Sequence, residues 1–170
     1  MVRDATFRDA QAIADIYNHY ITNTTVTFEE LPVTAAVMRS RIQQAHDLSL
    51  PWLVLEQGAM LVGYAYASRL KERSAYRYAV EVSVYLAHDV TRRGYGSALY
   101  ATLFERLAGA GLHVAIGGIT LPNDSSVALH EKFGMKKVAH FTEVGLKFDQ
   151  WLDVGYWQKA LVSRNQEADD

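Results

Sequence analysis

Residues 79–100 read AVEVSVYLAHDVTRRGYGSALY, and the reading of this stretch decides the fold. Ala79 to Ala87 is dense in β-branched and aromatic residues, the pattern of a strand. From Tyr95 to about Ala108, the residues Ala98, Leu99, Leu103, Phe104 and Leu107 recur at helical spacing. Between strand and helix lie Arg92, Arg93 and Gly94, with Gly96 in the first turn of the helix. The first N–H groups of a helix lack partners and its dipole is positive at that end, so arginines and small residues at its mouth suit an anion. Taken alone, the turn reads equally as a tight connection with solvated arginines.

Working outward, Val2 to Ala5 reads as a short strand. Thr6 is placed to cap a helix with the apolar face Ile13, Ile16, Tyr17 and Tyr20. Thr34 caps a second helix carrying Val37, Met38, Ile42 and Ala45. The strands WLVLEQ and MLVGYAYAS meet at the tight turn Gln57-Gly58 and predict an antiparallel hairpin. RLKERSAYRY is a polar connection into the quoted strand. Beyond the quoted helix come a turn, GAG, the strand HVAIGGIT and a capped helix in PNDSSVALHEKFG that ends at Gly134. Two strands, KKVAHFTEV and WLDVGYWQ, follow, joined by GLKFDQ. The order βααβββαβαββ predicts an α/β fold, a mixed sheet with helices on both faces. One domain is expected over residues 1–160, with 161–170 a polar tail.

Composition narrows the chemistry. The chain has 170 residues, 49% hydrophobic and 21% charged, which suits one domain with a full core. A net charge of −2 gives no general attraction for nucleic acid or anionic lipid, so the anion at the helix mouth is a small molecule. The absence of cysteine excludes disulfides, thiolate metal sites and a cysteinyl acyl-enzyme. The charged start MVRDATFRD is no signal peptide and no apolar run is long enough to span a bilayer, so a cytoplasmic protein is expected.

Several nucleotide and hydrolase motifs fail. After Gly94-Tyr95-Gly96, Leu99 stands where a dinucleotide fingerprint needs a small residue, and no P-loop ending occurs. There is no Gly-x-Ser-x-Gly elbow. His130-Glu131 lacks the second histidine of a zinc helix, and the scattered histidines predict no metal site.

TRRGYG resembles the acetyl-CoA signature of the GCN5-related N-acetyltransferases, Gln/Arg-x-x-Gly-x-Gly/Ala, with Thr91 at the position usually held by Gln or Arg. YNHYI, TVTFEELP, PWLV, AYRYAVEVSVY, GYGSALY, LPNDSSVALHEKFG and WLDVGYWQ further resemble the phosphinothricin acetyltransferase branch, in that family's order from about residue 3 to 160. The resemblance implies a mostly antiparallel mixed sheet splayed between its fourth and fifth strands. It implies acetyl-CoA as cosubstrate, the pyrophosphate of coenzyme A as the anion, and direct transfer to the amine of a small amino-acid analogue. It also implies a homodimer, to which WLDVGYW is a candidate contributor.

Acetyl transfer to an amine needs a base for the ammonium proton. By residue type Glu81, inside the strand, reads more readily as belonging to a solvated strand face. The resemblance implies instead that it is the catalytic base and that His130 supports proton transfer. It likewise implies cofactor contacts by Arg92, Arg93, Gly94, Tyr95, Gly96, Ser97 and Asn123, and by the backbone of Val84 and Leu86 in the splayed strand. On the substrate side it implies Lys71, Arg73, Tyr66, Tyr76, Tyr85 and a first loop bearing Thr27 and Phe28. A related branch acting on methionine sulfone or sulfoximine commonly has histidine after the glutamate and tryptophan in the first loop. Val82 and Phe28 stand there, which favours phosphinothricin-like substrates. A non-catalytic acyl-CoA-binding domain is the alternative of a different class.

Overall fold

The computed structural model describes residues 1–90 and 93–161. After β1 (Val2–Asp4), a 3-10 turn at Phe7–Asp9 precedes α1 (Ala10–Asn23). Thr6 closes that short turn rather than capping α1, with its N–H and hydroxyl both donating to Asp9 Oδ2 at 2.7 and 3.0 Å. Thr34 does cap α2 (Ala35–Asp47), its hydroxyl oxygen accepting the Val37 N–H. On α2, Met38, Ile42 and Ala45 are buried, but Val37 is 40% exposed. It sits in the first turn on the solvent side of the stripe that its neighbours form.

The remaining elements are β2 (Trp52–Gln57), β3 (Met60–Arg69), β4 (Ala79–Leu86), α3 (Tyr95–Gly109), β5 (Val114–Leu121), α4 (Asp124–Lys132), β6 (Lys136–Lys147) and β7 (Gln150–Ala160). The segment GLKFDQ is largely strand rather than connection. The turn narrows to Phe148 and Asp149, both with positive φ, at 52° and 57°, a backbone twist that matches two long antiparallel strands.

The sheet order is β1-β2-β3-β4-β5-β7-β6. Among the described residues β4 and β5 run parallel and every other pair antiparallel. The β4–β5 register starts at Ala79–Val114 and ends at Glu81–Ile116, although β4 continues to Leu86 and β5 to Leu121. The two strands therefore part after Glu81, which is the expected splay.

Side-chain alternation assigns the faces. On β3, a Cβ at Gly63 would meet Leu99 of α3, whereas the next residue, Tyr64, packs its ring on Tyr85, which in turn meets Tyr17 of α1. So α3 covers one face and α1 the other. On β4, Val80, Val82, Val84 and Leu86 face α3, and Glu81, Ser83 and Tyr85 face α1. Leu99, Leu103 and Leu107 of α3 are fully buried, each contributing about 1.5–3 kcal/mol from apolar burial.

Candidate active site

The parting of β4 from β5 exposes backbone as well as side chains. Ala87 N–H bonds Val62 O on β3, so odd-numbered β4 residues in this register direct their N–H and C=O groups to β3. Val84 and Leu86 direct theirs the other way, into the opening. No strand among the described residues pairs with them on that side. The Leu86 carbonyl instead accepts the Tyr20 hydroxyl at 2.6 Å. A narrow cleft of about 40 Å³ lies in this opening, lined by Val84 and Tyr85, by Gly118 and Thr120, and by Tyr100 and His130. A larger groove of about 1270 Å³ lies elsewhere, beside Asp4, Pro51 and Arg106. The Asp4–Arg106 ion pair lines it, and it contains none of the expected site residues.

Glu81 stands where the strands separate. It is half-buried, and burial pushes its carboxyl above the ordinary value of 4.5, with Lys71 pulling it back. A Cβ at Gly118 would lie 3.4 Å from Glu81 Oε1 and 3.2 Å from the Tyr156 ring.

His130 is 3% exposed. Its Nδ1 lies 2.7 Å from the Ser126 carbonyl, which can only accept, so Nδ1 carries the proton. Nε2 then accepts the Tyr100 hydroxyl at 3.0 Å. Burial lowers the His130 pKa and raises that of Tyr100, so both groups rest neutral. The ring fills the space over Gly117, where a Cβ would lie 2.5 Å from it.

At the mouth of α3, Gly94 has φ +76°, a left-handed conformation that glycine adopts without strain. A Cβ at Gly96 would approach Leu129 to 3.2 Å, so a small residue lets α4 close on α3. Tyr95 donates its hydroxyl to Gln57. Arg93 is exposed at the same mouth; Thr91 and Arg92 lie outside the described residues. Asn123 caps α4, its side-chain oxygen accepting the Ser126 N–H at 3.1 Å, and so leaves its amide N–H groups free of that role.

The residues expected on the substrate side fall in three places. Thr27 is buried and Phe28 is 39% exposed in the loop after α1. Tyr66 stacks on Trp52 with ring centroids 4.3 Å apart, and Tyr85 packs among Tyr17, Tyr20 and Tyr64. Lys71, Arg73 and Tyr76 are exposed in the β3–β4 connection, where Lys71 is near enough for its charge to act on Glu81.

Three side chains at the site escape sequence reading. Tyr100 sits among the leucines of α3 and reads as core, yet a buried hydroxyl needs a partner and His130 supplies it. Lys132, in the last turn of α4, donates to Ser97 Oγ at 2.9 Å and so brings a cation to the α3 mouth. Lys147 is buried against the first loop. Nothing in their local sequence marks the last two, because their partners are distant in the chain.

The acetyltransferase (GNAT) domain family matches residues 2–155. The chain is 39% identical to the phosphinothricin N-acetyltransferase of Streptomyces viridochromogenes over 93% of its own length and 86% of the relative's. It is 31% identical to the L-methionine sulfoximine/L-methionine sulfone acetyltransferase of Salmonella typhimurium, covering 94% of each chain. A phosphinothricin acetyltransferase from Sinorhizobium meliloti, solved in complex with acetyl-CoA, superposes with a TM-score of 0.92 at 34% identity, covering 95% of this chain and 88% of that one. The separated strands, the glycine-bearing helix mouth and these matches agree: the chain belongs to the GNAT acetyltransferases, enzymes whose cosubstrate is acetyl-CoA.

Proposed function

We propose that this enzyme transfers acetyl directly to the amino group of L-phosphinothricin or a similar small acidic amino-acid analogue, with Glu81 as general base. The observation that carries the reading is Glu81 itself, a half-buried carboxyl with a raised pKa at the point where β4 leaves β5. A base of raised pKa is better matched to an ammonium proton at neutral pH. In the step, Glu81 takes the ammonium proton, the freed nitrogen lone pair bonds the acetyl carbon, the carbon–sulfur bond breaks, and the second nitrogen proton is lost to solvent as the departing thiolate takes one up from it. His130 supports proton transfer from across the sheet through the Tyr100 hydroxyl that its Nε2 holds, its own ring proton being tied to the Ser126 carbonyl.

The N–H and C=O of Val84 and the N–H of Leu86, whose carbonyl is taken by Tyr20, suit the pantetheine amides and the acetyl carbonyl, and Asn123 adds amide donors. Gly94, Tyr95, Gly96 and Ser97 offer N–H groups to the pyrophosphate, with Arg93 and Lys132 supplying charge. Arg92 is assigned the same role, though it lies outside the described residues. Lys71 and Arg73 would meet the carboxylate and phosphinate, Tyr66 and Tyr76 would donate hydroxyls, and Thr27, Phe28 and Tyr85 would shape the amino-acid side. Thiol release from acetyl-CoA, measured across phosphinothricin, methionine sulfone, methionine sulfoximine and glutamate, tests this. A second reading, preference for the sulfone or sulfoximine, rests on relatives bearing that name.

A single domain over residues 1–160, a cytoplasmic location and a homodimer complete the proposal. No described helix is long and apolar enough to cross a membrane. Val138, Phe141, Val144, Leu146, Phe148 and Trp151 are all exposed on the β6–β7 hairpin at the sheet edge, an apolar surface of the kind that a second copy covers. Analytical ultracentrifugation tests the dimer.

A further inference from the structure

The loop between α1 and α2 is tied to the far edge of the sheet through a buried cation. Lys147, the last residue of β6, is 2% exposed and donates from Nζ to the Thr27 carbonyl at 2.7 Å. Thr27 is fixed on its other side by a 2.7 Å hydrogen bond between its hydroxyl and that of Tyr17, both buried. Glu29 N–H bonds the Thr27 hydroxyl in turn, and Arg41 pairs with Glu29.

Burying an ammonium is costly unless its hydrogen bonds matter. Packing alone would be met more cheaply by an apolar side chain of the same length. Burial also lowers the Lys147 pKa, with Glu30 and Glu29 opposing that shift. Two residues earlier, a Cβ at Gly145 would fall 2.2 Å from the Phe28 ring, so that ring occupies space only glycine leaves open.

We infer that Lys147 and Gly145 are positioning residues, by which the β6–β7 hairpin clamps the 24–34 loop, Lys147 holding the Thr27 backbone and Gly145 seating the Phe28 ring. The consequence for catalysis rests on the proposal that this loop lies on the amino-acid side. Lys147 touches no reacting atom. It sets the place of residues that would, so substrate fit is governed from the sheet edge opposite β1.

The test compares wild type with Lys147→Met, Lys147→Arg and Gly145→Ala by amide hydrogen exchange and by steady-state kinetics. In Lys147→Met, amides of residues 24–33 should exchange on the order of tenfold faster while α3 and β5 keep their protection, as expected for one lost charge-assisted hydrogen bond. The amino-acid KM should rise by about the same factor with the acetyl-CoA KM unchanged, and Lys147→Arg should recover part of both effects. Gly145→Ala keeps Lys147 and should change the ratio of kcat/KM between amino acids of different bulk. Unchanged loop exchange in both Lys147→Met and Gly145→Ala overturns the inference, as does an equal rise of both KM values. If wild type acetylates none of the amino acids, the substrate reading fails, and loop exchange alone then upholds or overturns the clamp.

Discussion

Glu81 and His130 stand on opposite faces of the sheet, held apart by the neighbouring residues Gly117 and Gly118. A Cβ at Gly117 would run into the His130 ring and one at Gly118 would approach Glu81. Successive strand residues point to opposite faces, so the two side chains are on opposite sides of β5. They share no hydrogen bond, so if both serve one reaction, as proposed, they meet it from opposite sides through the opening between β4 and β5.

Glu81→Gln keeps the shape and removes the proposed base, so kcat should fall by about 10²- to 10⁴-fold. Stability should move the other way. Burial raises the folded-state pKa, so the neutral carboxyl is favoured by folding and stability is lost as pH rises through that value. The glutamine variant should therefore melt above wild type at neutral pH, and the gap should close as pH falls toward 4.5, the carboxyl's ordinary value. Equal melting temperatures at both pH values would show that Glu81 pays no desolvation penalty.

Gly117→Ala should destabilise the fold by about 1–3 kcal/mol, the usual cost of forcing a side chain out of a packed site. The added methyl meets the His130 ring at 2.5 Å, and that ring is pinned by Ser126 and Tyr100. Gly118→Ala meets its neighbours at 3.2 and 3.4 Å, so it should cost less stability and instead disturb Glu81. Denaturant melts and kcat for the two variants check the contrast; equal stability losses would remove it.

The legible part of this chain is the part where local sequence and tertiary role coincide. The strand from Ala79, the glycine at the α3 mouth and the Thr34 cap are marked by their own neighbours, and the element order followed from them. The 3-10 turn after Thr6 was not, because Asp9 satisfies Thr6 before the helix begins. The length of β6 is not legible in the sequence, because Phe148 and Asp149 carry a positive-φ turn without glycine or asparagine. At the site, the resemblance named Glu81, while Tyr100, Lys132 and Lys147 depend on contacts that only the folded chain makes.

Lys132→Met should raise the acetyl-CoA KM and leave the amino-acid KM unchanged. Its ammonium now donates to Ser97, at the helix mouth proposed for pyrophosphate. A charge-assisted contact contributes about 1.5–3 kcal/mol before screening, so a rise of roughly tenfold is expected at low salt and less at high salt. Calorimetric titration with coenzyme A reads the same loss directly. Affinity that is unchanged at low salt would leave the lysine as a tie between α4 and α3.

Tyr100→Phe removes the donor to His130 Nε2 and leaves that nitrogen buried without a partner, at a cost of about 1–3 kcal/mol. His130→Phe removes the acceptor and orphans the tyrosine hydroxyl in its turn. The double variant should therefore lose less stability than the two single losses added together. Thermal melts of the four proteins provide the cycle. Strict additivity would mean that the hydrogen bond contributes nothing to the fold.

Lys71 would connect the proposed substrate side to the proposed base, because its charge pulls the Glu81 pKa down while burial pushes it up. Lys71→Met should let the Glu81 pKa rise further, so the acid limb of kcat/KM against pH should move to higher pH. Arg73 is exposed in the same connection, and the charge that pulls on Glu81 is that of Lys71, so Arg73→Ala should leave that limb in place. If both cations also meet the anionic groups of the substrate, each variant should raise the phosphinothricin KM well above any change for acetyl-CoA, since an anion left unpaired on binding is costly. Methionine sulfone, with an uncharged side chain, should suffer less from either change. An acid limb that stays put in Lys71→Met would separate the lysine from the base. Equal losses for phosphinothricin and the sulfone would separate both cations from the side-chain anion and favour the sulfone-type substrate instead.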